Sequence, residues 1–420
     1  MRLLNALTST LWGWHVLLLI LLVGVCCTVS GRGYQLRHAK SWLKEAVSGS
    51  RSQFQALTAA LAGSIGTGNI VGVAAAITVG GPGAIFWMWV SAVFGMMTVF
   101  AENLLSARRR ERHPATHARG ALRYLEPLSK PLAVLYAVGC CLSSFGMGNC
   151  TQTNACAAAL EHFGVPALAT ACCCAPLIFF VAKGGLRRAK IITEKLVPIM
   201  TLLFFAASLG VLWVFRDNLP GALRSIFTGA FSFRAGTGGT AGAFLAMKTG
   251  ISRGIFTNEA GLGSSAFAYE GVEGRTPAQL GRMGIFQVFV DTIVMCTVTG
   301  LCILCCRSPI LEGAQLTAFA YESAWGPVGG GVISVCTALF AIATVISWCC
   351  YGWEGLSYLT HSRGKTLYAA AAALAAFFGC LLPLSAVFQI SDAMNGLMAI
   401  PNCIALLLLQ KEVKRHTPSD

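Results

Sequence analysis

The chain has 420 residues, of which 55% are hydrophobic and only 11% are charged, against roughly 25% charged residues in an ordinary soluble domain. Its mean hydropathy of +0.66 excludes a soluble globular protein and leaves no room for a separate soluble domain. The formal net charge of +14 would suggest nucleic acid as a partner of a soluble protein. Here we predict an integral membrane protein that lies in the lipid bilayer and does not bind nucleic acid.

Apolar stretches of about 17 to 25 residues, the length that crosses about 30 Å of hydrocarbon, recur along the chain. We predict an all-α fold with eleven membrane-spanning helices. The first apolar run is longer than that of an ordinary signal peptide and no Ala-x-Ala cleavage site follows it, so we expect it to be retained. The predicted spans cover residues 12–29, 54–80, 82–105, 131–160, 166–182, 196–215, 238–269, 283–306, 328–355, 366–388 and 390–409.

Lys and Arg residues are distributed unevenly among the loops between these spans. The loops after the first, third, fifth, seventh and ninth spans, together with the C-terminal tail, hold 24 of the 31. Because Lys and Arg concentrate in cytoplasmic loops, we expect a multi-pass protein of a bacterial plasma membrane with its N-terminus outside and its C-terminus in the cytoplasm. The positive residues on the other side are Arg2, Arg216, Arg224, Arg234 and Arg307.

Two of the predicted spans are interrupted by sequences that a continuous membrane helix has no reason to contain. Residues 63–72 read GSIGTGNIVG, and residues 253–261 read RGIFTNEAG. Each glycine costs a helix interior roughly 1 kcal/mol, and backbone groups freed inside a bilayer are tolerated only where they line a cavity or are buried in protein. A nucleotide-binding loop would need a βαβ unit, which this chain lacks. The two breaks therefore predict a transport site.

The two breaks also suggest an internal repeat. If the first helix is peripheral, the other ten spans form two groups of five, each opened by a broken helix. Because five is odd, the second group enters the membrane from the opposite side, as in the inverted repeats of secondary transporters such as LeuT. We predict a peripheral helix and cytoplasmic loop over residues 1–50, one transporter core over 51–410 and a cytoplasmic tail over 411–420.

Five acidic residues lie in or at the edge of apolar spans, where a charge costs at least about 2.5 kcal/mol on insertion scales. Glu102 and Glu354 lie near predicted cytoplasmic helix ends. For these two acids, a position at the interface with pairing to loop arginines and a functional role are equally open. Glu259 and Asp291 are the better candidates, since each lies beside or opposite a break. There a carboxylate could bind a cation, cap exposed N–H groups or pair with Arg253. The five are Glu102, Glu259, Asp291, Glu354 and Asp392.

Uncharged polar residues form two further clusters inside spans. Residues 146–154, GMGNCTQTN, interrupt the fourth span, and Gln152 offers both hydrogen-bond donors and an acceptor. The alternative is helix packing through interhelical hydrogen bonds. In the ninth span Thr344 and Ser347 share a helix face beside Trp348. Hydroxyls suit a group I cation, although they also bond to carbonyls of their own helix.

Other classes of function find less support. Most of the 18 cysteines lie inside apolar spans, and the single Cys302-x-x-Cys305 pair has no partner set for zinc. No pattern of nucleophile and base indicates an enzyme. A channel would need repeated filters around one axis, whereas this chain has two dissimilar breaks. We therefore predict a transporter and no metal centre.

Several long motifs in the same order resemble the alanine or glycine:cation symporter family, also called sodium:alanine symporters. They lie between about residue 50 and residue 410. The resemblance implies a LeuT-like fold that imports alanine or glycine, D-alanine included, with sodium by alternating access. Coupling to protons through Glu259 or Asp291 is the alternative. The motifs are residues 66–74 with 80–89, residues 145–149 with Gln152, residues 253–263, Asp291-Thr292, and residues 392–402.

The resemblance also implies a substrate site between the two breaks. N–H groups near Gly66 to Asn69, at the positive end of a half-helix, would hold the substrate carboxylate. Carbonyls freed around Gly254 to Phe256 would take its ammonium group. Phe256 and Trp348 would form an apolar lid and wall that leave room for a methyl group at most. The implied substrate-binding residues are Gly66, Thr67, Gly68, Asn69, Gln152, Gly254, Phe256 and Trp348.

Sodium, the co-transported ion, would occupy one or two sites beside this pocket. The first would combine the carbonyls of Ala62 and Ile65 with the hydroxyls of Thr344 and Ser347. The sequence identifies no protein partner beyond the small amino-acid substrate. The ligands of a second sodium site would be Ser64, Asn69 and Thr257.

Overall fold

The computed structural model describes residues 2–47, 50–113, 116–231, 239–306, 311 and 313–418. All regular structure in these residues is helical, which confirms the predicted all-α class. Within these described residues, eight helices are long and apolar enough to cross a membrane. They are Asn5–Ser30, Ala84–Arg112, Lys130–Glu161, Ala167–Gly184, Leu186–Val214, Pro277–Cys305, Pro327–Thr360 and Leu384–Leu408.

The remaining predicted spans are also helical, in other forms. Helices Arg51–Ser64 and Thr67–Gly80 form a pair bent by 56°, which counts as a ninth span if the two halves cross together. Lys365–Leu381 is apolar but has only 17 residues. Gly239–Asn258 has 20 residues and ends at the second predicted break. A helix therefore lies at each predicted position, while the count of eleven crossings stays a prediction.

Several predicted boundaries were wrong. The span predicted at 196–215 belongs to a helix that begins at Leu186, because polar residues extend it beyond the apolar stretch. The span predicted at 366–388 ends at Leu381, since Pro383 follows and disfavours helix in the residue before it. Two residues counted in the charge distribution, Arg234 and Arg307, lie outside the described residues.

Several short helices occupy segments that the sequence left as loops. The segment before the first broken helix contains two of them, and the predicted C-terminal tail forms another. Two of the spans contain wider, π-helical segments in mid-course. The short helices are Tyr34–Arg37, Ala39–Val47, Leu122–Leu128, Leu219–Ala230, Gly313–Trp325 and Gln410–His416, and the π-helical segments are Gly146–Cys150 and Phe289–Cys296.

The first span packs along the outside of the bundle. Val16, Leu17 and Val23 are buried on one side of it, whereas Leu18 and Leu22 are about half exposed on the other. This pattern is typical of a helix that contacts protein on one face and lipid on the other.

Two faces of the bundle are defined by the ends of the last long helix. Near its beginning the carbonyl of Gln389 accepts a hydrogen bond from the hydroxyl of Thr8. Beyond its end the amide oxygen of Gln410 accepts one from the hydroxyl of Ser30. We call the first side the N-terminal face and the second the C-terminal face. One ion pair at the C-terminal face joins Arg123 to Glu270 at 2.7 Å.

Candidate functional site

The first broken helix is interrupted where the sequence predicted. Helix Arg51–Ser64 ends, Ile65 leaves helical geometry with ψ of 89°, and a single 3₁₀ turn covers Thr67–Asn69 before helix Val71–Gly80 begins. All residues of the interruption are buried. The freed backbone groups therefore face protein, as a break at this depth requires.

Side-chain amides satisfy the N–H groups that the break sets free. The N–H of Gly66 donates to Oδ1 of Asn69 at 2.9 Å. The N–H and hydroxyl of Thr67 both donate to Oε1 of Gln152, at 3.1 and 2.9 Å. Two amide oxygens thus lie against the N–H groups that were predicted to bind a carboxylate. Their positions are those that the two oxygens of a bound carboxylate could take.

Carbonyls without a helical N–H partner lie on the other side of the same break. In a continuous helix the N–H of Gly66 would donate to the carbonyl of Ala62, but here it donates to Asn69. The hydroxyl of Thr344 donates to the carbonyl of Ile65 at 3.4 Å. These three residues of the predicted sodium site therefore lie together. The fourth, Ser347, instead donates to the carbonyl of Ala59 at 3.0 Å.

Glycines allow neighbouring helices to approach the break closely. A methyl group on Gly66 would lie 2.4 Å from Oγ1 of Thr344, and one on Gly68 would lie 2.7 Å from Cγ2 of Thr257. Any larger residue at Gly66 would therefore displace the Thr344 hydroxyl. The same sequence of small residues that breaks the helix also lets helices Pro327–Thr360 and Gly239–Asn258 contact it.

The predicted second sodium site is brought together only in part. The hydroxyl of Ser64 donates to the carbonyl of Ala60 in its own helix at 3.4 Å. Asn69 and Thr257, in contrast, converge on the π-helical segment Phe289–Cys296. There Asn69 donates to Oδ1 of Asp291 at 2.8 Å. The two hydroxyls of Thr257 and Thr292 are 3.3 Å apart, and that of Thr292 donates to Oδ2 of Asp291 at 2.7 Å.

Asp291 is fully buried and its described hydrogen-bond donors are neutral. Among the described residues it forms no ion pair with Lys or Arg. A buried carboxylate without a cationic partner is costly and marks a position where a cation or proton is expected. The cluster of Asn69, Thr257, Asp291 and Thr292 is therefore an oxygen-rich site next to the first break.

The second break lies later in the chain than the carbonyls predicted to bind ammonium. Helix Gly239–Asn258 is continuous through Gly254 and Phe256. The glycine at 254 serves close packing, since a methyl group there would lie 2.1 Å from Oγ of Ser91. The chain turns only after Asn258, with positive φ at Glu259 and Gly261. The carbonyls without helical partners are therefore those of the last turn, residues 256–258, and not that of Gly254.

Glu102 holds the turn that follows the second broken helix. Its Oε1 accepts the N–H groups of Gly261 and Gly263, both at 3.0 Å, and the amide of Asn402 at 2.7 Å. Both glycines have positive φ, which other residues rarely adopt. Glu102 therefore does not pair with a loop arginine among the described residues but binds the backbone of this turn. Glu354, in contrast, pairs with Arg119 at 3.0 Å, as a residue near a loop would.

Glu259 accepts hydrogen bonds from neutral donors. The indole N–H of Trp348 donates to its Oε1 at 2.7 Å, and the hydroxyl of Ser264 donates to Oε2. Arg253 does not pair with Glu259 or Asp291, as one alternative proposed; its ion-pair partner is Asp392. Arg253 and Asp392 are 139 positions apart, and the sequence did not indicate that they would pair.

A vestibule of about 510 Å³ opens at the N-terminal face, with the Arg253–Asp392 pair at its wall. The guanidinium of Arg253 lies 5.0 Å from the ring centre of Phe256 and 4.6 Å from that of Phe388. Phe256 in turn lies beside Gly68, whose added methyl group would be 3.4 Å from its Cδ1. The ion pair and the two rings therefore separate the vestibule from the first break.

The other side of the break is closed toward the C-terminal face. Trp348 packs there against Gly148 and bonds to Glu259. Further along, the rings of Tyr351 and Phe267 stack at 5.8 Å. Phe256 and Trp348, predicted as lid and wall of one pocket, thus lie toward opposite faces of the molecule.

Comparison with known proteins adds an independent line of evidence. Residues 1–419 match the sodium:alanine symporter family. The sodium/alanine symporter AgcS of Methanococcus maripaludis is 38% identical over 99% of this chain and 96% of its own length. An uncharacterized transporter of Haemophilus influenzae is 36% identical, covering 99% and 94%. A Bacillus subtilis protein named probable sodium/glutamine symporter GlnT is 32% identical, covering 96% and 87%.

Proposed function

Because the chain belongs to the sodium:alanine symporter family, we propose that it imports alanine or glycine, D-alanine included, together with sodium by alternating access. The family makes it an amino-acid transporter of the membrane and not an enzyme. We further propose eleven crossings with a LeuT-like inverted repeat of five plus five helices. The N-terminal face would be outside, since the loops rich in Lys and Arg belong to the opposite side.

The observation that carries the substrate assignment is the first break itself. Its N–H groups at Gly66 and Thr67 bond to amide oxygens of side chains, which a substrate carboxylate would replace. Gln152 would then turn its amide N–H groups or oxygen toward the substrate. The ammonium group would bind carbonyls at the end of the second broken helix, residues 256–258. A substrate held at both ends between Gly68 and Phe256 has room for a small side chain only.

Sodium would bind on the two sides of the same break. The first site uses the carbonyls of Ala62 and Ile65 with the hydroxyl of Thr344, and Ser347 joins it only if its hydroxyl leaves Ala59. Hydroxyl and carbonyl oxygens are suitable ligands for a group I cation.

In the second proposed sodium site, the carboxylate of Asp291 takes the place that was predicted for the hydroxyl of Ser64. The carboxylate of Asp291 and the hydroxyls of Thr257 and Thr292 would provide oxygen ligands for sodium. The amide oxygen of Asn69 would join them only if it leaves the N–H of Gly66. Binding of the cation would neutralise the buried charge of Asp291, so ion binding and closure of the site would favour each other.

Proton coupling remains the second candidate, and two buried acids favour it. Glu259 and Asp291 both lack an ion-pair partner among the described residues, and both lie beside a break. Either could carry a proton in place of sodium.

One experiment separates the two forms of coupling. Purified protein in proteoliposomes is given radiolabelled alanine with an inward sodium gradient, with sodium replaced by choline, or with an inward pH gradient at zero sodium. Uptake that needs sodium supports the proposal. Uptake that persists without sodium and follows pH supports proton coupling. Uptake in neither condition, with glutamine and glycine also inactive, would overturn the assignment to small amino acids.

A further inference from the structure

A second cavity, of about 550 Å³, opens at the C-terminal face, far from the vestibule. It lies between the turn that ends helix Trp14–Ser30 and helix Gln410–His416. No Asp or Glu is among its described lining residues, and the cations in its wall form no ion pair in the part of the chain that the structure describes. These cations are Arg32, Arg37, Lys411, Lys414 and Arg415.

The nearest acid in sequence is directed elsewhere. Glu412 lies between two of the lining cations but pairs with Arg109 at 3.0 Å and Arg108 at 3.4 Å. The helix Gln410–His416 therefore presents its acid to the bundle and its cations to the cavity. Like charges held together in this way repel one another unless an anion binds between them.

Specific contacts hold the walls of the cavity in place. The hydroxyl of Ser30 donates to Gln410 at 2.9 Å, which joins the two walls. Tyr34 stacks on His38 with ring centres 4.5 Å apart. Arg32 adopts a positive φ of 53°, a conformation that costs a residue other than glycine free energy and often marks a functional position.

Large apolar side chains flank these cations in the sequence. Val29 is 72% exposed, Leu36 is 66% exposed and Leu408 is 63% exposed. A membrane protein carries such residues where they meet lipid chains. The cavity thus holds a concentrated positive charge, and exposed apolar residues lie close in sequence to its cations. A free phosphate ion would match the charge alone, whereas a phospholipid would match both.

We propose that this cavity binds the phosphate headgroup of an anionic phospholipid, with the acyl chains against the exposed apolar residues. The location, at the face whose loops are rich in Lys and Arg, is where anionic headgroups attract basic residues. A bound lipid would join the first span to the last helix, because the two walls come from opposite ends of the chain. This inference does not depend on the transported substrate.

The test uses native mass spectrometry of the full-length protein in detergent, titrated with phosphatidylglycerol, phosphatidylcholine or inorganic phosphate. We expect saturable binding of phosphatidylglycerol, little binding of phosphatidylcholine, and no displacement of lipid by millimolar phosphate. At about fivefold per cation, the double variant Lys414→Gln/Arg415→Gln should bind phosphatidylglycerol about 25-fold more weakly. If this variant does not fold, Arg37→Gln should show about a fivefold loss.

The matched control removes two exposed cations elsewhere, as Arg187→Gln/Arg188→Gln, and should bind lipid as the unmodified protein does. If both double variants bound phosphatidylglycerol equally weakly, the loss would be explained by net charge alone, and the proposed site would be wrong. Equal affinity for the two lipids would overturn it as well. Displacement by inorganic phosphate would assign the cavity to a soluble anion and not to lipid.

Discussion

Asn69 joins the first helix break to Asp291. Its amide donates to Oδ1 of Asp291 at 2.8 Å and to the backbone carbonyl of the same residue at 2.9 Å. Its amide oxygen accepts the N–H of Gly66 at 2.9 Å. One side chain therefore contacts both the backbone proposed to bind the substrate carboxylate and the acid proposed to bind sodium. Through this residue the two ligands can affect each other's binding.

The variant Asn69→Ala should abolish gradient-driven alanine uptake while leaving the amount of protein in the membrane unchanged. Three hydrogen bonds are lost, two to Asp291 and one from the N–H of Gly66, worth about 3 kcal/mol together, or about 100-fold in affinity. The control is Asn154→Ala, because Asn154 also bonds to two carbonyls, of Gly379 and Leu382, away from the break. Normal uptake by Asn69→Ala, or equal loss in both variants, would contradict this role.

Alanine variants of two glycines in the first broken helix provide a test of the first sodium site and its matched control. A methyl group on Gly66 meets the hydroxyl of Thr344 at 2.4 Å, whereas one on Gly72 meets nothing within 4 Å. Gly66→Ala should therefore raise the sodium concentration for half-maximal uptake by at least about tenfold, the effect of about 1.4 kcal/mol. Gly72→Ala should transport normally and unfold at a slightly higher temperature, since alanine favours helix. Sodium titrations of uptake compare the two.

Removing the carboxylate of Glu102 should destabilise the protein more than removing that of Glu354. Glu102→Ala leaves the N–H groups of Gly261 and Gly263 without acceptors, at about 1 to 3 kcal/mol each. Glu102→Gln keeps one acceptor oxygen and should lie between Glu102→Ala and the unmodified protein. Glu354→Ala loses a pair with the half-exposed Arg119, worth at most about 1 kcal/mol. Thermal unfolding in one detergent should give this order, and a reversed order would contradict the role of Glu102.

Access from the vestibule to the site can be followed with a native cysteine. Cys296 lies 3.5 Å from the amide of Asn69, within the site. Arg253→Ala removes the ion pair with Asp392 and the cation between two rings, so a polar thiol reagent added at the N-terminal face should label Cys296 faster. Peptide mass spectrometry measures this against Cys302, which lies near Ser208, away from the vestibule. Equal labelling of both cysteines would indicate general loosening of the fold.

Local sequence was sufficient for the parts of the fold that depend on local backbone preference. The glycines at 66 and 68 break the first helix wherever its neighbours lie, so the position of that break was predictable. The second break lies within the predicted residues 253–261, but it begins only after Asn258, so the helix is continuous through Gly254. Gly254 is a packing glycine against Ser91, and a single glycine of this kind leaves the helix intact.

Long-range partners were beyond the reach of the sequence. Glu102 meets Gly261 across 159 positions, and Arg253 meets Asp392 across 139. Which acid pairs with which donor is decided by how the helices pack, and periodicity carries no information about it. The π-helical segment around Asp291 likewise leaves no pattern in composition, although such segments often occur at functional sites. The sequence identified the acids but not their partners.

Two variants of Trp348 separate its proposed role in substrate selectivity from its hydrogen bond to Glu259. Its indole N–H donates to Glu259 at 2.7 Å, while its ring fills space beside Gly148. Trp348→Phe removes the hydrogen bond but keeps a ring, so we expect slower uptake with unchanged preference for alanine. Trp348→Ala should also let valine and leucine compete with alanine, since each methylene excluded by a pocket is worth about 1 to 3 kcal/mol.

The control for Trp348 is Trp353→Ala on the same helix, because Trp353 packs against Tyr368 at 6.0 Å and not against the break. Competition of unlabelled valine and leucine with labelled alanine measures selectivity in all three variants. If Trp348→Ala still rejects both, the ring does not limit the size of the substrate, and Phe256 on the opposite side becomes the residue to vary. If Trp348→Phe transports at the normal rate, the bond to Glu259 has no part in transport.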